Sequence, residues 1–97
     1  MAFQILARIT ISDFLTETFE PKIVTGVRPI IRYKGMIGGS CALVLEGTEE
    51  AFPGETLDVS VVFLNPQNHE QILRSDMEFT LHAGAIEIAK GVVLLAG

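Results

Sequence analysis

From Phe3 to Ile11 the chain alternates residue by residue, with Phe3, Ile5, Ala7, Ile9 and Ile11 on one face and Gln4, Leu6, Arg8 and Thr10 on the other. Successive side chains of an extended backbone point to opposite faces, so this period of two marks a strand with one buried side. The pattern returns twice. Leu57, Val59, Val61 and Phe63 alternate with Thr56, Asp58, Ser60 and Val62, and Met77, Phe79 and Leu81 alternate with Glu78, Thr80 and His82. No stretch sustains the helical spacing of apolar residues, so these runs commit the chain to an all-β fold.

Between Arg28 and Lys34 the same period puts Arg28, Ile30, Arg32 and Lys34 on one face and Pro29, Ile31 and Tyr33 on the other. Proline donates no ladder hydrogen bond, so Pro29 belongs at the start or edge of that strand. Cys41 to Glu46 is nearly apolar, which predicts a strand covered on both sides, and Gly35 to Ser40 reads as the turn before it. Phe52-Pro-Gly-Glu55 is a turn signal: proline presets φ at the first central position, and glycine accepts the positive φ that a type II turn needs at the second. Asn65-Pro66 ends the Thr56 to Phe63 run, and a polar loop follows from Gln67 to Ser75. Ala83-Gly84-Ala85 closes a hairpin onto a last strand from Ile86 to Leu95, which Gly91 interrupts where a bulge or barrel corner is expected. Ser12 to Gly26 keeps no period and reads as a long ordered loop with at most a short strand near Lys22 to Val24. Loops of that length in compact domains are often functional.

Six strands with turns between them leave a barrel or a sandwich, and closure is favoured because it removes the edges that so many β-branched residues would expose. At 97 residues, 48% of them hydrophobic and 20% charged, the chain is expected to form one domain spanning residues 1–97, with enough core to fold alone. Its single Cys41 can form no internal disulfide and reads as a small buried hydrophobe in a reduced compartment. The N-terminus lacks the pattern of a signal peptide, and no apolar run approaches the roughly 18 residues of a membrane span, so a cytoplasmic protein without membrane contact is expected.

Chemistry is sparse. Gly38-Gly-Ser40 lacks the lysine and the helix of a phosphate-binding loop. His69 and His82 lie on different elements, read as surface residues, and share no metal-ligand spacing with Cys41. Glu46, Glu49 and Glu50 have no nucleophile beside them. The interior of a barrel of about six strands is filled by its own side chains, leaving no room for a small-molecule substrate. The expectation is a protein with no catalytic residues, metal or cofactor. A net charge of −5 argues against a surface built wholly to grip phosphates. The charges are nonetheless segregated: Lys22, Arg28, Arg32 and Lys34 are followed by Glu46, Glu49, Glu50, Glu55 and Asp58.

Arg28-Pro29 opening a strand, Phe52-Pro-Gly-Glu55, Leu64-Asn-Pro66, and Asp76-Met-Glu-Phe-Thr-Leu-His-Ala-Gly84 followed by Gly91-Val-Val resemble the C-terminal β-barrel domain of elongation factor Tu. The motifs agree in order and spacing over nearly the whole chain. The resemblance implies a small closed six-stranded antiparallel Greek-key β-barrel. It also implies a translation-related role, because in that family the barrel packs on neighbouring domains, contacts the T-stem side of aminoacyl-tRNA and helps to bind the exchange factor. No GTPase domain accompanies it in this sequence. The chain departs from the family pattern in three places: Glu17 to Glu20 stands where the family has Gly-Arg-His, Val27 replaces an aromatic, and Gly84-Ala85-Ile86 replaces Gly-Gly-Arg.

Two surfaces are therefore candidates. Arg28, Arg32 and Lys34, on one face of one strand, could track a phosphate backbone or an acidic partner, making the protein a non-catalytic module that contacts tRNA or a ribosomal component. Against this, a solvated strand face needs no ligand, and the Arg28 equivalent of the family can serve domain structure. Leu6, Val62, Leu64 and Leu94 fall on outward faces and would either mark a protein partner or be covered by the long Ser12 to Gly26 loop. The alternative reading is accordingly a protein-interaction or regulatory module that has lost RNA binding and uses these residues with the acidic 46–58 segment.

Overall fold

The computed structural model describes residues 3–13, 22–33, 36–64 and 72–96. Among the described residues eight strands form in chain order: β1 (Phe3–Ile11), β2 (Ile23–Val24), β3 (Ile30–Tyr33), β4 (Met36–Leu45), β5 (Glu50–Ala51), β6 (Thr56–Phe63), β7 (Glu78–Ala83) and β8 (Ile86–Ala96). Six of them close an antiparallel barrel in the order β1-β6-β4-β3-β7-β8, while β2 and β5 make a separate two-stranded pair. β3, β4 and β6 are successive neighbours, and β1 lies beside β6, which is the Greek-key arrangement. Closure leaves none of the six strands with a free edge.

The core is assembled by the alternation seen in the sequence. Ile9 of β1, Val59 of β6, Leu43 of β4, Ile31 of β3, Leu81 of β7 and Val93 of β8 are completely buried, one from each strand of the barrel. Burying such a side chain contributes about 1.5–3 kcal/mol. The Phe52 to Glu55 turn forms as expected. The Glu55 amide donates to the Phe52 carbonyl at 3.1 Å, Gly54 takes φ +89°, and Glu55 Oε1 accepts from the Phe52 amide at 2.8 Å. The hairpin between β7 and β8 is also present: Ala83 pairs with Ile86, and Gly84 takes φ +62°.

Several expectations need correction. Gly35 to Ser40 is not all turn, because β4 already runs from Met36; its glycines are accommodated by a register shift opposite Ile31 and Arg32, with Gly39 at φ +97°. The Cys41 to Glu46 run is not covered on both sides, since Val44 is exposed on the outer wall of a single-layered barrel. Gly91 is no bulge, since it stays in register with Phe79 and with Ile9. The irregularities of β8 fall elsewhere, at Leu94 against β1 and at Ile88 against β7. The polar Gln67 to Ser75 stretch contributes a core residue, Leu73. His82 is no surface residue: its ring lies on the Thr80 side of β7, with Nε2 2.8 Å from Thr80 Oγ1, yet it is buried, as is Leu81 beside it. On β8 the extra Ile88 leaves Ile88 and Ala89 buried consecutively. Residues 14–21, most of the expected long loop with its Glu17 to Glu20, lie outside the described residues, as do Lys34, Asn65-Pro66 and His69.

Candidate binding surfaces

The barrel wall carries two contrasting outer surfaces, and strand register decides which side chains meet on each. On the first, β3, β7 and β8 lie side by side. Arg32 pairs with Thr80, and Thr80 pairs with Lys90. The row continues through Thr10 of β1 to Thr56 of β6, whose hydroxyls share a 2.9 Å hydrogen bond. Directly opposed residues project to the same side, so Arg32 and Lys90 flank Thr80 with roughly 10 Å between their strands. Both cations are exposed, and among the described residues neither is in an ion pair.

A groove of about 530 Å³ opens here between Arg32, Thr80 and Lys90. Tyr33, Phe79 and Gly91 contribute its apolar part, while Glu78 and His82 complete its polar part. His82 Nε2 and Thr80 Oγ1 are 2.8 Å apart. His82 Nδ1 is buried and has no hydrogen-bond partner among the described residues.

The candidate cations from the sequence are thus separated. Arg28 is exposed in the extended segment before β3, where Pro29 behind it is buried and its carbonyl accepts from the Cys41 amide at 3.1 Å. Arg28 does not line the groove. Four residues of extended chain put it roughly 13 Å from Arg32, with the half-buried Ile30 between them. Lys34 lies outside the described residues. Thr80 and Lys90 were not singled out in the sequence, because nothing in a linear chain shows that Lys90 stands two strands from Arg32.

The second surface is apolar. Leu95 of β8 pairs with Leu6 of β1, Leu6 with Ser60 of β6, and Ser60 with Val44 of β4. One row of pairs therefore crosses four strands with a single polar interruption. Leu95 is 62% exposed, Leu64 46%, Val44 45% and Leu6 36%. Val62 and Leu94 are half-buried. Leu94 is the extra residue where the β1–β8 register shifts, which leaves Leu95 opposite Leu6. Val44 and Leu95 thus belong to the apolar wall although strict alternation did not single them out.

The acidic 46–58 segment is mostly committed within the chain. Of its five carboxylates four accept local hydrogen bonds: Glu46 from Ser60 Oγ, Glu50 from Lys22 Nζ, Glu55 from the Phe52 amide and Asp58 from Arg8 Nε. Asp58 raises the pKa of the Arg8 guanidinium, chiefly through that hydrogen bond.

Compared with known proteins, the chain matches no protein-family model and no curated protein sequence. It is a small all-β protein with a closed six-stranded antiparallel barrel.

Proposed function

We propose that this barrel is a non-catalytic binding module that docks on another protein through the apolar wall of β8, β1, β6 and β4. The observation that carries this reading is the Leu95–Leu6–Ser60–Val44 row, extended by Leu64, in which large apolar side chains stay exposed on neighbouring strands. Contiguous exposed apolar surface is costly in water and marks a contact with protein. The resemblance to the C-terminal barrel of elongation factor Tu supports the same reading and gives the partner a class, a protein of the translation apparatus, since a barrel of that type leans on neighbouring domains. The three departures from the family pattern remove basic residues or an aromatic, which weighs against tRNA as the main partner.

A second reading keeps RNA as the partner and is favoured by the exposure of Arg28 and Arg32. Titration of the purified chain against a GTPase-containing fragment of elongation factor Tu, and separately against bulk tRNA over a salt series, distinguishes the two. Docking predicts protein binding that salt hardly weakens and that Leu6→Asp combined with Leu95→Asp abolishes. Binding to tRNA alone, weakening steeply with salt, would establish the second reading in its place.

A further inference from the structure

We propose that Arg32, Thr80 and Lys90 form a phosphate-binding site on the outer wall of the barrel, in which His82 fixes the Thr80 hydroxyl as a donor. This site is independent of the apolar docking wall.

His82 determines which way the Thr80 hydroxyl bonds. Its Nε2 is 2.8 Å from Thr80 Oγ1, and its Nδ1 is buried with no partner among the described residues. Two tautomers are open to a neutral imidazole. With the proton on Nδ1, a buried N–H would go unsatisfied, the rarer defect in folded proteins. With the proton on Nε2, the unpaired atom is an acceptor lone pair instead, and Nε2–H donates to Thr80 Oγ1. The Thr80 hydroxyl then has its own proton free to donate elsewhere.

The register supplies the other donors. Arg32 and Lys90 are the immediate cross-strand neighbours of Thr80 on either side, and all three line the same 530 Å³ groove. Two like charges flanking one residue repel each other, and neither is neutralised by an ion pair among the described residues. A tetrahedral oxyanion above Thr80 would accept from the planar guanidinium, the hydroxyl and the ammonium together, the combination that suits phosphate. Glu78 lines the groove too and stands diagonal to Lys90, being paired with Val92. Its carboxylate competes with the anion for Lys90. The groove is larger than a bare phosphate, and Tyr33 and Phe79 line it too, which suits a phosphate carried on a small organic group.

The test is a titration of the labelled chain, followed by amide NMR, with inorganic phosphate, with a 5′-mononucleotide, and with the corresponding nucleoside. The site predicts saturable shifts centred on Arg32, Thr80 and Lys90 for both phosphate-bearing ligands and none for the nucleoside. Binding should weaken about tenfold in Arg32→Gln and in Lys90→Gln, tighten in Glu78→Gln, and survive in Thr80→Ser but not in Thr80→Ala. Tighter binding of the mononucleotide assigns an organic phosphate; equal binding assigns free phosphate. The imidazole 15N shifts of the wild-type chain should place the His82 proton on Nε2. Shifts spread over the surface and unaffected by these variants, nucleoside binding as tight as nucleotide binding, or a proton on Nδ1 would each overturn the proposal.

Discussion

The Phe79 ring occupies the space in which a side chain at position 91 would begin. A Cβ added to Gly91 would lie 2.5 Å from Phe79 Cζ and 2.8 Å from Ile9 Cγ2. The two residues are direct partners across β7 and β8, so the ring of one covers the bare backbone of the other. Gly91→Ala is expected to destabilise the barrel by about 1–3 kcal/mol through overpacking, read as a lower urea midpoint with an unchanged slope. The double variant Gly91→Ala with Phe79→Leu should recover part of the loss relative to Phe79→Leu alone. An unchanged midpoint in the single variant would show that this contact has slack.

Asp76 stands at the second central position of a turn in which the Met77 amide donates to the Arg74 carbonyl at 3.3 Å. Its φ is +71°, in the left-handed region where a side chain is strained. Glycine relieves that strain but loses more entropy on folding. The relief is the larger effect here, because a left-handed residue costs roughly 1–2 kcal/mol, so Asp76→Gly should raise the urea midpoint by an amount equivalent to about 0.5–1 kcal/mol. Asp76→Val should lower it.

Much of this fold is legible in the sequence, and the reason is local. Period two places Ile5, Ala7, Ile9, Val59, Val61 and Phe63 inside without reference to any other strand, and proline and glycine mark the Phe52 to Glu55 turn from their own φ preferences. What escapes is whatever depends on pairing. The extra residues Ile88 and Leu94 invert the alternation of β8 only because of the strands beside it, so Leu95 is passed over. His82 keeps to the Thr80 side of β7 as period two places it, and its burial there is what the chain alone does not show. Lys90 becomes part of a site only when β8 lies next to β7. The reading of Arg28, Arg32 and Lys34 as one stripe considers one strand, whereas the cation nearest to Arg32 in function comes from another.

Burial pushes the Cys41 thiol pKa up to about 12, against about 8.5 for an exposed thiol. Between those values the unfolded chain has lost the thiol proton and the folded chain retains it. Cys41 therefore contributes stability that is complete below about pH 8.5 and declines as the pH rises toward 12. Tyr33, also raised by burial, adds to the decline. Urea midpoints should fall on the alkaline side and fall less in Cys41→Ala. At pH 8 the native thiol should resist alkylation and react only on unfolding; rapid native alkylation would contradict its burial.

The Arg8–Asp58 pair, at 2.9 Å, is exposed on the barrel wall. Exposed pairs gain little because water and salt screen them. Arg8→Gln and Asp58→Asn should each leave the urea midpoint nearly unchanged at moderate salt, and a large loss in either would mean that the pair has a structural role its exposure does not suggest.

Hydrogen exchange on the complex of this chain with its protein partner reads out whether the apolar wall is the docking surface. Docking there gives new protection along β8, β1, β6 and β4, around Leu95, Leu6, Leu64 and Val44, with no change near Arg28. Protection confined to β3 and its flanking Arg28, with the apolar wall exchanging as in the free chain, would contradict it.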